Sequence, residues 1–527
     1  MSADNDHLHR LVHSMTRAEK RYFKLYTSRH LVGNQSVHQL LFDAIAAMPA
    51  YDVSILHRQF AGQSFMRRFA ITKRRLYEAV LDSLDAFHAK SSVDDEVRRM
   101  LHHVELLQHK ALYADAAKVL RSARKLAKDH ERHALLLQVA EWDRRFMERS
   151  NYAGITGQAL AKHATKAEAT ATSWIEMDRL WQIKSETFLL LYHNGQAPGM
   201  QELEQLDGFA ADPLLAVDAV LHSAGARFLH HHVRGALAYV RNNLPACEKE
   251  LEAAARLLRT AKGPFDGEPG LLLGVIANLA QVRMRLGRHQ EALEGFQEFR
   301  RAPRMMAKAP SPDLEMKLFV LGNSLQMSLL AVKGDFAQAV ELVGVLEEGF
   351  VRYGKRISTV RRAELELQAA FVCLGAAQPG NALRWCNRLL GERGIDAHAE
   401  LSALGRMLNL VCLVELGKHD LLEYVVRNAQ RAWKQHAGPF AMERVLLEHA
   451  QALARITGSR RQMAWHSVLA ALEEVAAEPK ESAALDQIDL ITWARAKAEE
   501  RNFAELVKEK WSQRPVPARR NHGKRAA

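Results

Sequence analysis

The sequence predicts an all-α protein: a small N-terminal helical domain followed by a solenoid of stacked αα-hairpins. Three observations carry this. Ala, Leu, Arg and Glu are abundant while only 14 prolines and 29 glycines interrupt 527 residues, a balance that favours helix over sheet. No run of alternating β-branched residues is present. A junction pattern also recurs at a nearly constant period, and a chain this long needs several cores or an array that grows lengthwise.

The pattern is a small or polar residue, then Ala or a medium apolar residue five positions later, opening an amphipathic helix. Its clearest copies are ALYADA from Ala111, GRHQEA from Gly287 and GDFAQA from Gly334. Weaker copies start at Gly154, Gly195, Asn242, Ala377, Gly417, Gly458 and Arg501, so successive starts lie 40–47 residues apart. About 43 residues hold two helices of roughly 17 residues and two short turns. The glycine lets one helix end in a left-handed turn, and the alanine lets the next helix pack closely on its partner. One hairpin cannot bury its apolar face alone, so neighbours must stack. The expected division is 1–90 as a cap, 91–510 as about nine helix pairs, and 511–527 as a basic disordered tail.

Gly334-x-Phe336-x-x-Ala339, Gly287-x-His289-x-x-Ala292 with Phe296, and Ala111-x-Tyr113-x-x-Ala116 with Ala123 resemble the junction and second helix of a tetratricopeptide repeat. The period exceeds that family's 34 residues and the closing proline is mostly missing, so the repeats resemble elongated, diverged members. The resemblance implies a right-handed superhelix whose concave groove, lined by first helices, captures peptides or protein surfaces. The positions it places in the groove are Gln281, Ser324, Ser328, Met407 and Val411. No Lys and Asn clamp for a peptide carboxylate is evident.

In the cap, Thr16 and Glu19 form a capping-box signature that starts a helix at Arg17 and carries it to about Arg29. Ala18, Tyr22, Leu25 and Tyr26 form its expected apolar side. Further helices are expected near 37–48, 53–60 and 71–89, the last with Leu76, Val80, Leu84 and Phe87 as a core stripe. Two helices followed by a basic helix admit a helix-turn-helix reading. Arg17, Lys20, Arg21 and Lys24 on the first helix, with Arg67, Arg68, Lys73, Arg74 and Arg75 near the start of the long one, are the candidate polyanion contacts. Cations at a helix start oppose its macrodipole unless phosphate docks there. Against this, Arg74 and Glu78 have the i,i+4 spacing of a solvated face.

The net charge of +12 is concentrated at the ends. Residues 1–90 hold 13 Lys+Arg against 8 Asp+Glu, residues 511–527 hold five against none, and the rest is nearly neutral. Such an array does not wrap nucleic acid along its length. Nucleic acid is therefore the secondary expectation, and a protein or peptide partner the primary one.

Two stretches rich in Pro and Gly, 261–270 and 301–313, read as long loops. The N-terminus has no secretory pattern, and Leu271–Ala280 is too short to span a bilayer. The four cysteines lie in helical patterns without CxxC, as in a reducing compartment, and the cytoplasm is expected. His230, His231 and His232 cannot share one ion, because adjacent helical residues diverge by about 100°. No metal, cofactor or catalytic motif is found, and the eight dispersed tryptophans read as core. The expected function is a non-enzymatic scaffold binding a protein or peptide in its groove; the alternative is a regulator whose cap contacts nucleic acid while the repeats bind a partner.

Overall fold

Residues 6–28, 37–194, 199–306, 309–418, 420–427, 440–455 and 459–513 are described by a computed structural model, and among them there is helix and turn but no strand. The chain divides into two compact units, Met1–Leu160 and Ala161–Ala527. No helix among the described residues is long and apolar enough to cross a membrane.

The first unit contains α1 (His7–Ser14), α2 (Arg17–Ser28), α3 (Val37–Ala47), α4 (Val53–Gln59), α5 (Phe69–Phe87), α6 (Val93–His109), α7 (Tyr113–Asp129) and α8 (His133–Arg149). α1 is an addition to the expected elements. Asp6 caps its start by accepting from the His9 N–H at 3.0 Å, and Leu8 and Val12 are buried. The i,i+4 pair His9 and His13 serves the end of α3: their Nε2 atoms donate to the carbonyls of Met48 (3.0 Å) and Ile45 (3.2 Å). These are carbonyls that a helix end leaves without an internal partner.

The capping box forms reciprocally, with Thr16 N–H donating to Glu19 Oε2 at 2.6 Å and Glu19 N–H to Thr16 Oγ1 at 3.2 Å. The buried face of α2 is rotated from the expected one. Phe23 is fully buried and stacks on Phe42 with centroids 4.3 Å apart, while Leu25 is 55% exposed. α3 imposes this, since Gln39 donates to Lys24 O and Thr27 Oγ1 and draws the Phe23–Thr27 side inward. On α5, Leu76 and Val80 are buried and Leu84 packs beside them, whereas Phe87 is 40% exposed and makes an edge-to-face contact with Tyr22. A separate hydrophobic cluster joins Val97 and Leu101 of α6, Leu120 of α7 and Val139 of α8.

Helix α9 (Gly157–Asn194) begins at the end of this unit and continues into the second. There follow α10 (Met200–Ala210), α11 (Ala224–Val240), α12 (Leu244–Thr260), α13 (Pro269–Arg285), α14 (His289–Met305), α15 (Pro312–Lys333), α16 (Phe336–Tyr353), α17 (Thr359–Gly375), α18 (Pro379–Gly391) and α19 (Ala399–Glu415). After an unlabelled helical stretch over 420–427 come α20 (Ala441–Arg455), α21 (Ser459–Val475), α22 (Pro479–Leu485), α23 (Leu490–Ala498) and α24 (Phe503–Ser512).

Neighbouring helices pack in chain order as a solenoid-like stack. α11 pairs with α12, α13 with α14, α15 with α16 and α17 with α18, while α13, α15, α17 and α19 also pack on one another in sequence. The junction pattern accounts for this. Gly287 (φ 73°), Gly334 (76°) and Gly417 (61°) are left-handed, and so are Ala111 (60°), Asn242 (54°) and Ala377 (58°). The residues five positions on, Ala116, Cys247, Ala292, Ala339, Ala382 and Leu422, are all buried at 2% exposure or less. The copy at Gly154 has the turn without the packing, because Ala159 is exposed. At Arg501 the left-handed residue is Glu500, one position earlier. The copies at Gly195 and Gly458 lie outside the described residues.

Three further expectations are corrected. Residues 301–305 belong to α14, which continues through Pro303 into its last turn, so the second loop is shorter; Lys308 lies outside the described residues. Trp511 is helical rather than part of the tail, and the rest of the tail from 514 lies outside the described residues. Trp174 and Trp181 are 45% and 56% exposed on α9, whereas Trp385, Trp465 and Trp493 are buried; Trp433 lies outside the described residues. All four cysteines are free and buried.

Candidate binding cavity

The inner faces of α11, α13, α15, α17 and α19 surround a cavity of about 420 Å³, within the size range of ligand sites. Helical spacing decides what each helix contributes. Asn278, Gln281 and Arg285 lie on one face of α13; Leu321, Ser324 and Ser328 on one face of α15; and Arg361, Glu364 and Gln368 on one face of α17. Phe188 and Tyr192 of α9, His232 and Tyr239 of α11, and Leu401 and Leu404 of α19 complete the wall.

Gln368 organises the centre: its Nε2 donates to Ser324 Oγ and Ser328 Oγ, both at 3.0 Å. Its Oε1 is buried without a protein partner among the described residues. Arg285 donates to Asp486 Oδ2 and to Asn242 Oδ1, each at 2.7 Å, and lies over the Tyr239 ring. Arg361 donates to Glu364 Oε2 at 2.8 Å and to Tyr192 Oη at 3.3 Å. Burial pushes the Tyr239 hydroxyl up to about 12, and burial, aided by Lys184, lowers the His232 imidazole to about 4. His232 is therefore neutral, set between the rings of Phe188 and Phe228. Its neighbours turn elsewhere, His230 to the Leu214 carbonyl and His231 to Glu250.

Helix α24 forms one side of the cavity. α24 packs on α15, with Val507 and Lys510 in the cavity wall. Phe503 stacks on Phe336 at 5.4 Å, and Trp511 meets the His289 ring at 4.1 Å in a tilted contact. Gly334 marks the point of closest approach, for a Cβ there would lie 2.8 Å from the Ala504 carbonyl oxygen and 2.7 Å from Lys508 Cγ. A Cβ on Gly287, equally left-handed, would meet nothing within 4 Å. Gly287→Ala is therefore expected to cost about 1–2 kcal/mol for backbone conformation alone, and Gly334→Ala measurably more, with faster amide exchange over 503–512. Equal costs by denaturant titration would show that α24 does not dock on this turn.

Of the expected groove positions, Gln281, Ser324 and Ser328 line the cavity, but Met407 and Val411 do not. They are 0% and 1% exposed in the core, because α19 is covered by α18 and α20 along most of its length. Only Glu400, Leu401 and Leu404 from the start of α19 reach the wall. Gln368 is the principal residue the sequence reading missed. The period itself could have found it, since it lies 44 residues after Ser324 and 43 before Val411.

The nine candidate cations of the cap fall into two groups and three ion pairs. Glu19 meets His88 at 2.6 Å and Tyr22 meets Phe87, whereas the far end of α2 meets α3 at Gln39. α2 thus runs antiparallel to α5. Arg17, Lys20 and Arg21 sit by the end of α5 and Arg67, Arg68 and Arg75 by its start, roughly 20 Å apart at 1.5 Å per residue. The other three are paired: Lys24 with Asp43 at 2.7 Å, Lys73 with Asp6, and Arg74 with Glu78 at 2.9 Å.

No protein-family model matches the chain, and none of the curated proteins compared with it does.

Proposed function

We propose that this chain is a non-enzymatic, cytoplasmic interaction scaffold, built from diverged tetratricopeptide-like repeats, that holds a peptide segment of a protein partner in its central cavity. One observation carries the reading: the first helices of successive hairpins, α11, α13, α15, α17 and α19, turn their faces onto a single cavity of about 420 Å³. That is the surface an αα-solenoid offers to a ligand. The split and partly neutralised cations of the cap support a structural role for it rather than a nucleic-acid contact.

Selection of random displayed peptides on the full chain tests this, with Ser328→Trp as a cavity-filled control whose helicity is checked first. Peptides should be enriched on the parent chain and lost on the control. No enrichment, or equal enrichment on both, would remove the cavity as the binding site. A mobility-shift titration with duplex DNA at low salt, on the full chain with Arg514, Arg519, Arg520, Lys524 and Arg525 replaced by Gln, should give no shift, and a salt-sensitive shift there would instead favour the cap as a polyanion site.

A further inference from the structure

We propose that the cavity takes an uncharged internal segment of a polypeptide, presenting main-chain amides and apolar side chains, and rejects chain termini and charged side chains. This rests on the peptide-binding reading above.

The first argument is that the charges in the wall are already engaged. Arg285 is held by Asp486, Arg361 by Glu364, and Lys510 by Asp489 at 2.7 Å. Glu400 accepts from Gln487 Nε2 at 2.9 Å. A carboxylate entering here would give up its hydration without meeting a free cation, and an ammonium would have to compete for carboxylates that already have partners. Burying a charge without a dedicated partner is strongly unfavourable.

The second argument is what remains unengaged. Gln368 Oε1 and His232 Nδ1 are buried without a protein partner, and the amides of Asn278 and Gln281 have no hydrogen-bond partner among the described residues. The hydroxyls of Ser324 and Ser328 accept from Gln368, which leaves their protons free to donate. These groups offer donors and acceptors together and carry no charge. An internal peptide group, with one N–H and one C=O, matches that set. A buried acceptor left unpaired costs about 1–3 kcal/mol, so pairing Gln368 Oε1 would favour the complex.

The apolar wall supplies the rest. Phe188, Leu321, Phe371, Leu401 and Leu404 give side-chain contact without polar demand. Asn278, Tyr192 and His193 line the cavity and are also exposed, so it communicates with the surface.

The test is a matched series of probes on the full chain: N-acetyl-Leu-Leu-amide, the same dipeptide with a free carboxylate, and the same with a free ammonium. Binding is read by saturation-transfer NMR and calorimetry. The uncharged probe should bind, and each charged analogue should bind at least about tenfold more weakly. Gln368→Leu should weaken the uncharged probe by about tenfold. Asn278→Leu, at an exposed site with no partner to lose, should do so in part even if Gln368→Leu perturbs folding. A charged analogue binding as well as the uncharged one would overturn the proposed class and leave the peptide-binding reading standing. Binding of the uncharged probe that neither substitution alters would likewise overturn it. No binding by any of the three would overturn both readings.

Discussion

Replacing Arg406 by Met is expected to destabilise the second unit by about 3–5 kcal/mol. Arg406 lies on α19 and meets Glu443 of α20 through two parallel bonds, Nε to Oε1 at 2.5 Å and Nη2 to Oε2 at 3.1 Å. Its Nη1 also donates to Ser402 Oγ at 3.2 Å. Glu443 is fully buried. Removing the guanidinium leaves a carboxylate that has lost both its water and its partner, and that asymmetry, more than any net gain from the pair, sets the size of the effect. Arg406→Met with Glu443→Met should therefore recover most of the loss, since an apolar pair of similar volume needs no counter-charge. Denaturant titration of the three variants gives the coupling directly. A single substitution costing under about 1 kcal/mol, or a double no better than the single, would show that Glu443 reaches solvent or another cation. The pair joins two helices separated in sequence by residues 416–440, so amide exchange in α19 and α20 should accelerate together in the single variant.

Local chemistry made the array legible in the sequence, and distant contacts hid the rest. A left-handed residue followed five positions later by a small apolar one is a requirement of a single turn, satisfied within six residues, so it can be read without knowing what lies beyond. Ala116, Ala292, Ala339 and Ala382 lie under their partner helices for that reason. The docking of α24 beside the cavity has no such signature. Phe503 and Phe336 stack although they lie 167 positions apart in the sequence, and the glycine that admits α24 at 334 reads in the sequence only as a turn residue. Met407 and Val411 were misplaced by the same limitation. The period puts them in register with Gln281 and Ser324, but α18 and α20 cover the helix that carries them. On α2, the apolar side could be chosen only once α3 was known to lie against Phe23.

The cap's electrostatics show why composition alone could not separate the two functional readings. The sequence placed cations on two helices, but only the antiparallel packing of those helices determines whether they add up. Glu19 against His88 fixes the direction, and with it the separation of Arg17, Lys20 and Arg21 from Arg67, Arg68 and Arg75. Binding to a polyanion strengthens with the number of phosphates neutralised together. Two groups of three therefore support it less than one group of nine would. By contrast, the cavity's neutral amides and hydroxyls leave no mark on net charge, and the ion pairs beside them form between residues distant in sequence, such as Arg285 and Asp486.

Glu366→Gln is expected to stabilise the protein, by an amount that depends on pH. Glu366 is fully buried on α17. Arg388 Nε lies 3.4 Å from its Oε1, close enough for attraction, yet neither carboxylate oxygen accepts a well-directed hydrogen bond. Burial raises its pKa to about 7 from the ordinary 4.5, with Arg388 opposing the shift only in part. The sign follows from proton linkage. Below about pH 4.5 the carboxyl is protonated whether the chain is folded or not, and the residue carries no charge penalty. Between about 4.5 and 7 the unfolded chain releases a proton that the folded chain retains, so stability falls as pH rises. Above about 7 the folded state must hold the charge, and the full cost of about 3 kcal/mol applies. Gln has the same shape and no charge, and Arg388 retains the Trp385 ring 4.2 Å away. The variant should thus match the parent near pH 4.5 and exceed it by about 2–3 kcal/mol near pH 8 in denaturant midpoints. A gain that is the same at both pH values would place its origin in packing, and a loss near pH 8 would show that the Arg388 ion pair outweighs the burial of the carboxylate.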